Sequence, residues 1–124
     1  MNKKQKRSAR CLCLQLLYSS ELSDNSSSDK VIKSFFKSKD QDLDDIIYSN
    51  DEINYAKKLM KFTFDNLDKV DQLIQGKLKN WAMHRLATMD KIILRMCISE
   101  MLYMDEVPPK VSMAEGIEIA KQFS

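Results

Sequence analysis

The chain has 124 residues, with two glycines, two prolines and a formal net charge of +2. This length is typical of one domain, and so few Gly and Pro residues argue against hairpin-rich folds and glycine-rich phosphate loops. Because helix-forming residues predominate, we expect an all-α protein with one domain over residues 1–124. No apolar stretch is long enough for a transmembrane helix or typical of a signal peptide, so we expect a cytoplasmic protein.

The first ten residues carry the strongest charge signal in the sequence. They contain five basic side chains and no acid, whereas the rest of the chain holds 15 basic and 18 acidic side chains. A basic N-terminal arm, residues 1–10, on a mildly acidic body suits an anionic polymer. The first helix is predicted to start between Lys4 and Arg7 and to end near Leu22.

This arm can neutralise several phosphates at once, which gives salt-dependent binding through counterion release. Arg7 and Arg10 are three residues apart and are expected to share a helix face. Gln15 follows as a candidate for reading base edges, which single-stranded RNA exposes. The predicted RNA-binding residues are Lys3, Lys4, Lys6, Arg7, Arg10 and Gln15. The alternative interpretation is a disordered arm that serves only solubility.

Two further helices are predicted in the middle of the chain. Residues 30–38 form a short helix with Asp29 as its N-cap, and residues 39–45 form a loop. Ser49 and Glu52 have the spacing of a capping box, in which each side chain bonds the other's backbone N–H. The apolar period after this box predicts a long amphipathic helix that continues, with one kink or restart, towards Trp81.

The last third contains a helix that is apolar on nearly all sides, residues 88–102, which is typical of a core helix. Thr88 is its predicted N-cap, and Asp90 lies in the first turn, where the helix dipole favours a negative charge. After two prolines, Ser112 and Glu115 form a second predicted capping box at the start of the last helix.

The chain lacks the residue patterns of an enzyme or a metal protein. His84 is the single histidine, and no nucleophile or pair of carboxylates stands at a matching spacing. Cys11, Cys13 and Cys97 do not have zinc-ligand spacing, and an odd number argues against a disulfide framework. We therefore expect no catalysis, no metal and no cofactor.

Several motifs follow one another along the chain in an order typical of one known family. They are Arg7-Ser8-Ala9-Arg10, Gln15 and Leu17-Tyr18; then Trp81, Arg85-Leu86, Met89-Asp90-Lys91 and Ile93-Leu94-Arg95; then Ser99-Glu100-Met101, Pro109, Val111, Glu115, Glu118, Ala120-Lys121 and Phe123. With these residues the chain resembles the NusB family of bacterial transcription antitermination factors.

The resemblance implies a fold of about six to seven helices in two sub-bundles and a role that is not enzymatic. Family members bind the boxA element of nascent RNA together with NusE, a small-subunit ribosomal protein. In the transcription elongation complex this helps RNA polymerase to read through terminators, notably in ribosomal RNA operons. By matching position, the arm would hold RNA. The protein-partner residues would be Tyr18, Leu22, His84 and Asp90.

The sequence departs from the family pattern at three places. Relatives usually carry Asn-Glu-Ala where this chain has Ala114-Glu115-Gly116, and many carry arginine at the position of Ser8. They also continue past Phe123 into a final helix, which we expect to be missing here. Alternatives are a NusB-like RNA-binding domain related to ribosomal RNA cytosine methyltransferases, a helical protein-interaction module, either monomeric or a homodimer, and a helical DNA-binding module.

Overall fold

The structure is a computed structural model that describes residues 1–22, 27–39, 47–78 and 82–123. Within these ranges it contains α-helices, a short 3-10 helix and no strand, so the all-α prediction is confirmed. The α-helices are α1 (Lys3–Glu21), α2 (Ser28–Lys39), α3 (Asn50–Asp65), α4 (Leu67–Lys77), α5 (Thr88–Tyr103) and α6 (Pro109–Phe123). The 3-10 helix, Met83–Arg85, lies between α4 and α5.

The chain divides into two compact units, the N-terminal unit Met1–Lys61 and the C-terminal unit Phe62–Ser124. The division falls within α3, whose residues 62–65 belong to the C-terminal unit. Two sub-bundles were expected from the family resemblance, and two units are observed.

A capping box fixes the start of α1. The Gln5 backbone N–H donates to Asn2 Oδ1 at 2.8 Å, and the Asn2 N–H donates to Gln5 Oε1 at 2.9 Å. Helical structure therefore begins at Lys3, and the basic arm is the first two turns of α1 rather than a disordered extension. The Asn-x-x-Gln spacing was available in the sequence but was not recognised there.

The core of the N-terminal unit includes most of the length of α1. Its fully or nearly buried apolar residues are Ala9, Leu12, Cys13, Leu14, Leu16 and Leu17. From α2 and α3 the buried apolar residues are Val31, Ile32, Tyr55, Ala56, Leu59 and Met60. Each large side chain removed from water contributes about 1.5–3 kcal/mol. The breadth of its buried face makes α1 the central helix of this unit.

Of the two helix N-caps predicted for α2 and α3, one is confirmed and one is wrong. The Ser49–Glu52 box is confirmed: the Glu52 N–H donates to Ser49 Oγ at 3.1 Å, and the Ser49 N–H donates to Glu52 Oε1 at 3.4 Å. The assignment of Asp29 as an N-cap is wrong, because α2 begins at Ser28 and Ser27 Oγ accepts the Lys30 N–H at 3.3 Å. The predicted loop, residues 39–45, lies outside the described residues except for Lys39, which is the last residue of α2.

In the C-terminal unit, α5 contacts both α4 and α6, and one polar contact links it to each. Arg95 donates to Asp71 of α4 from Nε at 2.7 Å and from Nη2 at 2.8 Å, the two-pronged geometry that suits a guanidinium and a carboxylate. On the other side, Ser112 Oγ of α6 donates to Glu100 Oε1 at 2.6 Å, and both side chains are buried. These charged residues of α5 are therefore architectural.

Two further cap predictions are wrong. The N-cap of α5 is Ala87, and Thr88 is the first helical residue. The helix α6 begins at Pro109, before the predicted box, because proline's fixed φ suits the first helical position, where no N–H bond is needed. Ser112 thus lies inside α6 and donates to Glu100 instead of capping.

The helices α5 and α6 approach each other closely at Gly116. A Cβ atom added at Gly116 would overlap Sγ of Cys97. The Cys97 side chain therefore occupies the space that a methyl group at position 116 would need.

Gly116→Ala is expected to lower the free energy of unfolding by about 1 kcal/mol. Overpacking costs about 1–3 kcal/mol, and the better helix propensity of alanine returns about 1 kcal/mol. In a Cys97→Ala background the same change should instead raise the free energy of unfolding by up to about 1 kcal/mol. Urea denaturation of the four proteins measures this coupling. Strictly additive effects would contradict the close approach.

Candidate nucleic-acid interface

The first turns of α1 combine basic side chains with the positive end of a helix. Lys3 and Lys4 are exposed, and Lys6 and Arg7 are half-buried. The first turn contains no acidic residue. Because the helix dipole places partial positive charge at the same end, this part of α1 attracts anions. Its backbone is already helical, so binding would not have to order it.

One exposed face runs along the whole of α1. Its members follow one another at intervals of three or four residues and all are exposed or half-buried, whereas the opposite face is buried. They are Lys4, Arg7, Cys11, Gln15, Tyr18 and Leu22, which we call the outward stripe. It is basic at its start and apolar at its end, where Tyr18 is 40% exposed and Leu22 is 73% exposed.

Arg10 is not part of this exposed set. Its side chain is only 2% exposed, so the expectation that Arg7 and Arg10 share one face open to RNA is wrong. A step of three residues turns the helix by about 300°, which carries Arg10 across the edge of the buried face. The structure thus separates a half-buried arginine, Arg7, from a buried one, Arg10, within a single turn.

Ser8 links two helices. Its hydroxyl donates to Glu52 in the first turn of α3, and this bond is the main reason why the pKa of Glu52 lies below its usual value, helped by Ser49. Ser8 therefore fixes the start of α1 beside the start of α3. Sequence reasoning missed this contact, because nothing local relates residues so far apart.

The four predicted protein-partner residues fall in different units. Tyr18 and Leu22 end the outward stripe in the N-terminal unit. His84 is exposed in the 3-10 helix, and Asp90 is half-buried in the first turn of α5, both in the C-terminal unit. The structure therefore places all four at least partly at the surface.

Neither a metal centre nor a membrane segment is found where the structure describes the chain. No group of three or more His, Cys, Asp or Glu side chains in these ranges could hold a metal ion. Among the described helices, none is long and apolar enough to cross a membrane.

Fold and surface together define a small all-helical protein with a cationic first helix. The chain belongs to the NusB family, whose model matches residues 7–124. "Transcription antitermination protein NusB" of Clostridium botulinum is 36% identical over 86 residues, which cover 69% of this chain and 60% of that protein. The protein of the same name from Chloroherpeton thalassium is 35% identical over 119 residues, covering 96% of this chain and 53% of that protein.

Solved structures agree with the family assignment. "T. maritima NusB, P3121, Form 2" superposes with a TM-score of 0.79 at 25% identity and covers 96% of this chain and 78% of that chain. A chain described as "Crystal Structure of a Plectonemic RNA Supercoil" has a TM-score of 0.78 at 22% identity, covers 97% of this chain and 82% of that chain, and shows the fold alone. The chain spans between about half and three-fifths of the length of these two curated relatives.

Proposed function

We propose that this chain is a transcription antitermination factor that binds boxA-type single-stranded RNA together with the ribosomal protein NusE. In the elongation complex it would promote read-through by RNA polymerase, notably in ribosomal RNA operons. Membership of the NusB family supports this role. The observation that carries the RNA-binding part is the ordered, acid-free basic start of α1. The role is one of binding and requires no catalytic residue.

The RNA contacts divide into two kinds along α1. Lys3, Lys4, Lys6 and Arg7 would hold phosphates, which positions the strand without selecting its sequence. Gln15 lies farther along the outward stripe and has an amide that can both donate to and accept from a base edge. Preference for a particular RNA sequence would therefore come from Gln15 and not from the phosphate contacts. Arg10, buried in the structure, would support the helix instead of contacting phosphate.

The protein partner would bind at the apolar end of the same stripe. Tyr18 and Leu22 expose large side chains next to the buried face of α1, and exposed aromatic and aliphatic residues are typical anchors of protein interfaces. His84 and Asp90 are further candidate contacts for NusE in the C-terminal unit. RNA and NusE would thus occupy neighbouring segments of one helix, which fits binding as a ternary complex.

A titration with matched RNAs tests the proposal. A short boxA RNA and a scrambled RNA of the same composition are titrated with the protein at several salt concentrations, with and without NusE. We expect tighter binding of the boxA RNA, a larger preference when NusE is present, and weaker binding as salt rises. If both RNAs bind equally under every condition, the antitermination role is refuted and the helical protein-interaction module is favoured.

A further inference from the structure

A second row of basic side chains lies on α2, away from the residues that resemble the family pattern. Lys30, Lys33 and Lys37 are separated by three and four residues, and all three are exposed. Val31 and Ile32 are buried on the opposite side of the helix. The three lysines, which we call the α2 lysine stripe, therefore project into solvent from one face.

Contacts with α3 leave this face positively charged. Asp29 is the acidic residue of α2, and Lys61 Nζ lies 2.8 Å from its Oδ1. This hydrogen bond from Lys61 is the main reason why the pKa of Asp29 lies below its ordinary value. Lys57 of α3 lies over the Phe36 ring, with Nζ 5.1 Å from its centroid. Lys57 and Lys61 of α3 thus lie beside α2, and Lys61 forms an ion pair with Asp29.

The same contacts fix the direction of α2 within the N-terminal unit. Asp29 meets Lys61 and Phe36 meets Lys57, so later residues of α2 lie beside earlier residues of α3 and the two helices are antiparallel. The Ser8–Glu52 bond holds the starts of α1 and α3 together. The Lys37 end of the α2 lysine stripe therefore lies at the end of the unit where the basic start of α1 lies.

We propose that the α2 lysine stripe is a second phosphate-binding surface, which holds RNA nucleotides flanking the segment bound by α1. This inference rests on the proposed RNA-binding function. From Lys37 to Lys30 the stripe extends about 10 Å along the helix axis, leading away from the basic start of α1. Lysine is a flexible point charge, which suits backbone contacts that carry no sequence information.

The composition of this face favours RNA over a membrane surface. Helices that lie on membranes combine lysines with large apolar side chains that enter the lipid. The other exposed residues described on α2 are Asp29, Ser34 and Ser38, whereas Phe35 and Phe36 are half-buried. The face can attract phosphates but offers no exposed apolar side chain for insertion.

The test uses two RNAs and a matched control variant. One RNA covers boxA alone, and the other adds flanking nucleotides on both sides. The test variant is Lys30→Gln, Lys33→Gln and Lys37→Gln together. The control variant, Lys77→Gln, Lys110→Gln and Lys121→Gln, also removes three charges from exposed lysines, but in the C-terminal unit. A third variant replaces the stripe lysines with arginine.

For the longer RNA, the test variant should reduce the slope of log K against log salt by about 2, because each phosphate contact on a single strand contributes about 0.7. Its binding of the short RNA should match that of the unchanged protein. The control and the arginine variant should bind both RNAs normally. Circular dichroism should show the same helicity and melting temperature for all proteins, since the substituted side chains lie in solvent.

Each other outcome has a defined meaning. If the unchanged protein fails to prefer boxA RNA over a scrambled RNA, the proposed function itself fails. If the unchanged protein prefers boxA RNA but the test variant binds the longer RNA as well as the control variant does, the α2 lysine stripe is refuted as a binding surface. The proposed function is then unaffected. If the test variant binds both RNAs more weakly by the same factor, the three lysines belong to the boxA site itself. The proposal that they hold flanking nucleotides is then wrong. If the test variant loses binding to phosphatidylserine vesicles that the unchanged protein binds, and its RNA binding is unchanged, the α2 lysine stripe is a membrane-binding surface and the RNA proposal is refuted.

Discussion

Replacing Lys3, Lys4, Lys6 and Arg7 together with glutamine is expected to weaken boxA RNA binding by about 100- to 1,000-fold near 0.1 M salt. Four phosphate contacts on a single strand, at about 0.7 each, account for a slope of nearly 3 in log K against log salt. Removing them should flatten that slope by the same amount. Fluorescence anisotropy of a labelled boxA RNA, titrated at several salt concentrations, measures both quantities.

A matched control separates this effect from a general loss of positive charge. Lys69, Lys77, Lys110 and Lys121, all exposed and in the C-terminal unit, are replaced with glutamine in a second variant. The control should retain RNA binding. The α1 variant should melt no lower than the unchanged protein, because cations at a helix N-terminus oppose the dipole. Equal binding by the two variants would remove the basic start of α1 from the RNA site.

Arg10→Ala is expected to destabilise the protein by about 3 kcal/mol, which for a chain of this size lowers the melting temperature by about 10 °C. The cause is burial: the side chain is 2% exposed, so its removal leaves a cavity within the structure. Arg7→Ala, one turn earlier on the outward stripe, should change stability by less than about 1 kcal/mol. Urea denaturation followed by circular dichroism compares them.

A third substitution shows how Arg10 acts. Methionine retains much of the apolar stem of arginine but not its charge, so Arg10→Met reports how much of the loss is due to packing. RNA titrations of the stably folded Arg10→Met protein should give the salt slope of the unchanged protein. A normal melting temperature for Arg10→Ala combined with a flattened salt slope would contradict the structural assignment and return Arg10 to the RNA contacts.

Only part of the local structure was predicted from the sequence, since the Asp29 and Thr88 caps are wrong and the Asn2–Gln5 box was not recognised. The helical composition gave the fold class, and the Ser49–Glu52 box was confirmed because both partners lie within one turn. The start of α6 was not predicted correctly. Ser112 and Glu115 have the spacing of a capping box, but Pro109 begins the helix earlier and Ser112 finds a partner on α5 instead.

The features of the candidate site also divide into those that the sequence predicts and those that it does not. The excess of basic residues before Cys11 is visible in the sequence, and so is the spacing that forms the outward stripe. The burial of Arg10 and the Ser8–Glu52 bond depend on which helices meet in three dimensions, so neither could be predicted from local pattern. Periodicity placed Arg10 near Arg7 on the helix but could not locate the edge of the buried face between them.

The outward stripe has a consequence for how two ligands would share this protein. Arg7 and Tyr18 are eleven residues apart on one continuous helix, a separation of about 16 Å along its axis. In the proposed complex this rigid spacing would hold the end of the RNA and the surface of the protein partner at a fixed offset and angle. At this offset the bound RNA and the bound partner protein could contact each other directly. That contact would supply the coupling free energy between the two ligands, without any change of conformation in α1.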